Sequence, residues 1–213
     1  MKIRKYLQNF FKKTFQNLFF FFYGKIEIYN NQKEVKFKEH NVHKILLNDN
    51  FFSLNGHIYE IDEGRVYTDT VENVAIIKHK ILLPMASYQQ IDGELKEGKF
   101  NKTLNAGTPR LIKKIDGTML SLVQGVSGEN YFHFLFDILT KLKICEQKIP
   151  LNDIDYFYVP GNIEWQKKIF YYFNINKNQL INSKIYRHVK AKKLIALDHP
   201  WYHKGQFQNE FAN

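Results

Sequence analysis

The sequence predicts an α/β protein with a β-rich amino-terminal region and a carboxy-terminal part of alternating strands and helices. Short alternating apolar runs separated by turn residues fill positions 24–117. From Thr118 onward, longer strand and helix segments alternate at the spacing of βαβ units. The 213-residue composition, 44% hydrophobic and 24% charged, is that of an ordinary globular chain. No segment of about 20 to 50 residues repeats, which argues against solenoids and propellers. The single cysteine, Cys145, supports neither a disulfide framework nor a Cys-x-x-Cys zinc site.

Residues 1–23 predict a basic amphipathic helix. At about 100° per residue, Ile3, Tyr6, Leu7, Phe10, Phe11, Phe15 and Leu18 share one arc, with Lys2, Lys5, Lys12 and Lys13 on the other. The uninterrupted apolar run Leu18 to Tyr23 is too short to cross roughly 30 Å of hydrocarbon. Gly24-Lys25-Ile26-Glu27 supplies no small-residue cleavage site for a secretory signal. Two readings remain: a helix lying on an anionic membrane surface at the inner, cytoplasmic face, which is preferred, or a terminal helix packed on the body. The first 25 residues carry Lys2, Arg4, Lys5, Lys12, Lys13 and Lys25 with no acid, so +6 of the formal +10 charge sits there. The remainder has 25 bases against 21 acids, which argues against nucleic acid as a partner.

Within residues 24–117, strands are expected at Lys25 to Tyr29, His57 to Ile61, Val66 to Thr68, Val74 to Lys78 and Ile81 to Leu83. Turns are expected at Asn55-Gly56, Glu63-Gly64, Asp92-Gly93 and Asp116-Gly117. The polar stretch Gly93 to Pro109 is expected as an exposed loop, and its sequon Asn101-Lys102-Thr103 as unused. In residues 118–213, strands are expected at Met119 to Gln124, Ile154 to Val159, Lys184 to His188 and Lys193 to Leu197. Helices are expected at Asn130 to Lys148 and Ile163 to Phe173. This order is that of the first half of a doubly wound domain.

Chemistry concentrates where a strand enters a glycine turn and then a helix, in LSLVQGVSGENYFHFLFDIL. Gly125 and Gly128 free the backbone, amides at the helix start can bind an anion, and Ser127 or Asn130 can cap it. His133 and Asp137, four apart, share a face with Asn130, Thr140 and Lys141, with Tyr131, Leu135, Ile138, Leu139 and Leu142 on the core side. An imidazole oriented by a carboxylate suits a general base acting on a hydroxyl, and a solvated ion pair is the plainer reading. Asp198-His199 follows a strand end, where ligands of open α/β sheets gather, which adds His199 as a secondary candidate.

Other patterns are weaker. Asp153-Ile154-Asp155 has the Asp-x-Asp form of a metal site but lies in turn chemistry before a strand. His40 with His43 and His199 with His203 have metal-compatible spacing without a fixed carboxylate. Arg187, Lys190, Lys192 and Lys193 read as a solvated basic loop, and Cys145 as a small buried residue.

The run GENYFHFLFDILTKL resembles the signature of glycosyltransferase family 61, an aromatic-His-aromatic-Leu-x-Asp core after a strand and a Gly/Asn turn. The downstream order is similar too: a strand ending in Pro160, a helix with Trp165-Gln166, then IYRHV and KLIALDHP. The likeness covers about Gly64 to Pro200. It implies the first Rossmann-like lobe of a two-lobed GT-B enzyme, with an inverting, metal-independent mechanism and no cofactor beyond a nucleotide sugar as donor. His133 would act as base, oriented by Asp137, with Gly125, Ser127, Gly128, Asn130 and His199 near substrate. On this likeness the chain corresponds to the amino-terminal part of such an enzyme, with the second lobe expected beyond Asn213. The expected activity is sugar transfer to a hydroxyl of a glycan acceptor in surface or capsular polysaccharide synthesis. The alternative is a non-catalytic, membrane-associated module that binds a glycan or a partner.

Overall fold

The computed structural model describes residues 2–28, 41–49, 54–91, 94–96, 98–106, 108–161 and 163–199. Helix α1 (Lys2–Tyr23) forms over the expected residues. Gly24 ends it at φ +76°, a left-handed conformation that glycine adopts without a Cβ clash. Ile3, Phe10, Phe11 and Phe15 remain exposed, whereas Phe19 is fully buried. Phe19, with Phe20 and Tyr23 beside it, packs on Ile26, Tyr67, Ala75, Ile77 and Leu82. The choice between a packed and an unpacked helix therefore resolves along its length: the last turn is docked and the turns before it are exposed. No described helix is long and apolar enough to cross a membrane.

The β-rich region supplies β1 (Glu27–Ile28), β2 (Val42–Asp49), β3 (Leu54–Asp62), β4 (Arg65–Thr68), β5 (Val74–Lys78) and β6 (Ile81–Leu82). Glu63 and Gly64 form the expected turn between β3 and β4. Asn55-Gly56 is not a turn but lies inside β3, paired with Asn48 and Leu47 of β2. The stretch expected as an open loop is structured instead. It holds β8 (Glu94–Lys96), paired with β7 (Gln89–Ile91), and the short helix α2 (Lys102–Ala106). Asn101 is buried there, its side-chain amide donating to the Val74 carbonyl at 2.8 Å and the Ser87 carbonyl at 3.2 Å. The sequon is thus closed to modification in the folded protein.

The carboxy-terminal part supplies β9 (Lys113–Ser121), β10 (Tyr156–Val159), β11 (Leu180–Asn182) and β12 (His188–Leu197). Ten strands join in one mixed sheet in the order β1-β6-β5-β4-β12-β9-β10-β11, with β3 also paired to β12 and β2 to β3. The neighbours β12, β9, β10 and β11 run parallel. Helical crossovers between β9, β10 and β11 make that direction possible. The first is α3 (Tyr131–His133), a π-helical stretch Phe134–Leu139 and α4 (Thr140–Glu146), and the second is α5 (Glu164–Tyr172).

Three local expectations are corrected here. Residues 183–185 form a turn, so no strand covers Lys184 to His188, and β12 runs unbroken to Leu197. The basic residues Lys190, Lys192 and Lys193 lie on that strand rather than in a loop, where Val189 and Ala191 alternate with Lys190 and Lys192 and are buried. Asp116-Gly117 is a bulge in a continuous β9. Ala191 pairs Ile115 and Lys193 pairs Thr118, so two residues of β9 face Lys192 alone. The division drawn between residues 117 and 118 falls inside this strand.

Alternation along the parallel strands sorts the core into two faces. Leu120, Phe157, Ile195 and Leu197 pack under Phe134, Ile138, Leu142 and Phe170 of the crossover helices. Met119, Tyr158, Leu194 and Ala196 meet Val66, Val74, Ile76, Leu83 and Ala86 from the β-rich region. Among the described residues, helices cover one face and strand-region residues the other, whereas a doubly wound sheet carries helices on both. The shown architecture is therefore a mixed α/β sheet with a parallel four-strand portion.

Candidate active site

The carboxyl end of β9 leads through Leu122, Val123 and Gln124, all buried, into the glycine turn. Asn130 caps the helix as expected, its side-chain oxygen accepting from the His133 amide at 3.2 Å. One turn later, His133 Nδ1 lies 3.0 Å from Asp137 Oδ2. The His133 side chain is 17% exposed and that of Asp137 2%. The plainer reading of a solvated pair is thereby overturned. The buried face of this helix runs Phe134, Asp137, Ile138, Lys141, Leu142 and Cys145, whereas Tyr131, expected in the core, is exposed. Asp137 sits within the π-helical stretch, where the wider turn departs from the about 3.6-residue period used to sort the faces.

The polar strip stays buried because it is satisfied. The Lys141 ammonium donates to Gln124 Oε1 at 2.7 Å and to the Val123 carbonyl at 3.3 Å. Burial pushes its pKa down to about 8, with the Asp137 and Asp198 carboxylates opposing that shift. Asp198 accepts from the Tyr59 hydroxyl at 2.6 Å and from the His57 amide at 3.0 Å, and His57 Nδ1 lies 2.9 Å from it. His199 is buried beside them. Its imidazole is held well below the ordinary histidine range, first by burial and then by the charges of Lys141 and His133. Two histidine–carboxylate pairs thus flank one buried lysine at the carboxyl ends of β9 and β12.

Of the residues singled out in the sequence, His133, Asp137 and His199 come together, with Asn130 at the start of their helix. Gly125, Ser127 and Gly128 serve packing at the adjacent turn. The Val126 amide donates to the Val71 carbonyl at 2.8 Å and the Ser127 amide to the Gln124 carbonyl at 3.1 Å, so these two amides are already engaged. Ser127 is fully buried, its hydroxyl on the Gln124 carbonyl. A Cβ on Gly128 would meet the Glu72 carboxylate, which is buried and held by the Gly161 amide at 2.9 Å and the Ser183 hydroxyl at 3.2 Å. Val126 holds φ +55°, a costly conformation for a β-branched residue. Thr70, Val71, Val126, Glu129, Asn130 and Lys184 border a cleft of about 400 Å³ beside this turn.

His57, Tyr59 and Asp198 escaped the sequence reading as partners, because only the pairing of β3 with β12 sets His57 against Asp198. Lys141 was visible as a face-mate of His133 but not as the hub. Asp155 has a structural contact: its Oδ2 accepts from the Thr118 amide at 2.7 Å at the β9 bulge. His43 pairs with Glu60 at 3.0 Å, while His40 and His203 lie outside the described residues. Among the described residues no group of three or more His, Cys, Asp or Glu is placed to hold a metal ion. Cys145 is buried, and burial pushes its thiol up to about 12, which makes it inert at neutral pH. No family model, curated protein or solved structure matches the chain.

Proposed function

We propose that the protein is a glycosyltransferase in which His133, oriented by Asp137, is the general base. The observation that carries this reading is the buried His133–Asp137 pair, whose carboxylate is shielded while its imidazole keeps access to solvent. A carboxylate on Nδ1 holds the ring orientation and stabilises the imidazolium formed when the ring takes a proton. In the proposed reaction the acceptor hydroxyl gives its proton to His133 as its oxygen bonds to the anomeric carbon. The anomeric carbon–phosphate oxygen bond breaks, and the nucleoside diphosphate leaves with the electron pair. Lys141 and the His57–Asp198 pair hold the surrounding charges in place. The resemblance of GENYFHFLFDILTKL to family 61 supports the same assignment, with a nucleotide sugar as donor and a glycan hydroxyl as acceptor. Attachment to an anionic membrane surface through residues 1–23 belongs to the proposal, supported by the exposed Ile3, Phe10, Phe11 and Phe15 beside a lysine arc.

The test is transfer from a panel of labelled nucleotide sugars, measured together with melting temperature. His133→Gln should lower transfer by at least about 10²-fold, the low end of general-base assistance. Asp137→Asn should lower it less, since the imidazole remains. A loss of melting temperature with unchanged transfer in both variants would make the pair a structural one and remove the catalytic assignment.

A further inference from the structure

Helix α5 begins beside the candidate site and ends away from it. Near its start, Gln166 donates to the Gly128 carbonyl at 2.9 Å, and Trp165 packs on Tyr131 and Phe134. About 9 Å further along the axis, at roughly 1.5 Å per residue, the helix ends in two tyrosines that folding leaves wet. Tyr171 is 71% exposed and Tyr172 84%. They border, with Lys167, Lys168 and Lys177, a groove of about 360 Å³ floored by Ile175 and Leu180. The three lysines gather around Glu164, which Lys167 pairs with. Its carboxyl is held below the usual range by a hydrogen bond from Lys167, by the charge of Lys167, and by those of Lys177 and Lys168.

We propose that this groove binds an acidic oligosaccharide, with the tyrosine rings on sugar faces and the lysines on its carboxylate or phosphate groups. Tyrosine combines an apolar face with a polar hydroxyl, which suits a ligand with alternating C–H faces and hydroxyl rims. Lysine supplies charge-assisted hydrogen bonds to the anionic groups. Charge complementarity sets the sign of the ligand, and its small size sets the class. Nucleic-acid affinity comes mainly from neutralising many phosphates with Lys and Arg, whereas this groove offers three lysines, one of them already paired with Glu164, on a nearly balanced body. A glycan with an occasional acidic sugar needs only a few. The role of the bound chain, as an acceptor held about one helix length from His133, rests on the transferase reading, but the binding itself does not.

The 213-residue protein is titrated by calorimetry with hexagalacturonate and a hyaluronate hexasaccharide, against maltohexaose and a dT hexanucleotide. Both acidic sugars should bind at least about tenfold more tightly than maltohexaose, a difference of about 1.4 kcal/mol. Tyr171→Ala with Tyr172→Ala, and Lys168→Glu with Lys177→Glu, should each weaken that binding by at least about tenfold. All four positions lie on the groove's solvent side, so stability should move by no more than about 0.5 kcal/mol per substitution. His133→Gln should leave this affinity unchanged, so failure of the groove and failure of the catalytic assignment are read separately. No binding of either acidic sugar, equal binding of maltohexaose, binding of the hexanucleotide as tight as that of the sugars, or unchanged affinity in both double variants would overturn the proposal.

Discussion

Helix α1 leaves Phe10, Phe11 and Phe15 exposed, while the helical segment from Tyr131 to Glu146 buries Asp137 and Lys141. Both depart from the rule that apolar groups go in and charges stay out, and they do so in opposite directions. In the second helix each buried charge has partners: Lys141 has Gln124 and the Val123 carbonyl, with the charges of Asp137 and Asp198 favouring its ammonium form, and Asp137 has His133. In the first, among the described residues, an apolar arc as long as the helix meets a receiving surface at its last turn. Burial is therefore decided by what the rest of the fold offers at that place, and the helix sequence alone cannot supply it.

Removing the buried cation tests the polar helix most severely. Lys141→Met removes the donor to Gln124 Oε1 and the Val123 carbonyl and the charge that Asp137 and Asp198 feel, and stability should fall by about 1 to 3 kcal/mol for each buried group left unsatisfied. Histidine NMR on the same variant should show the His199 pKa rising, because the Lys141 charge helps hold it down. A neutral effect on melting would mean that the strip is not ionised as described. On the apolar side, Phe19→Ala should cost about 3 kcal/mol by emptying a packed site, read as a drop in denaturation midpoint.

A smaller effect is set by pH. His188 is fully buried among Phe19, Tyr23 and Tyr67, with its Nδ1 on the Arg110 carbonyl. Burial, reinforced by Arg65, pushes its pKa down to about 3. The folded protein keeps this ring neutral while the unfolded chain takes up a proton below about pH 6.5. The stability from this site is thus complete above about pH 6.5 and falls by about 1.4 kcal/mol per unit toward pH 3. Because the ring supports the docked turn of α1, the NMR signals of Tyr23 should shift before global unfolding. His188→Leu should flatten this acid limb in a pH series of melting curves. An unchanged slope would place the acid sensitivity elsewhere.

The exposed turns of α1 should tolerate polar substitution. Phe15→Ser, one turn from Phe19, should change stability by no more than about 0.5 kcal/mol, as for other exposed positions. Combined with Phe10→Ser and Phe11→Ser, it should reduce sedimentation with phosphatidylserine vesicles and leave the melting temperature in place. Loss of melting temperature instead would show that the exposed turns are packed in solution.

Local pattern suffices for several of the regular segments, though not for the strand Glu94–Lys96 or the helix Lys102–Ala106. The apolar arc of residues 1–23, the alternation at His57 to Ile61 and Val74 to Lys78, and the glycine turn before Asn130 each carry their signal within a few neighbours. It also placed His133 and Asp137 within reach of each other, since four residues make one helical turn. That Asp116-Gly117 is a bulge and that Lys190 to Lys193 lie on a strand depends on the register of β9 against β12, which no nearby residues specify. The same holds for the second histidine–carboxylate pair. His57 and Asp198 stand 141 positions apart and meet only when β3 aligns antiparallel to β12. Short-range periodicity encodes the faces of an element, but a buried charge survives only where distant strands bring its partners, and no local pattern records that meeting.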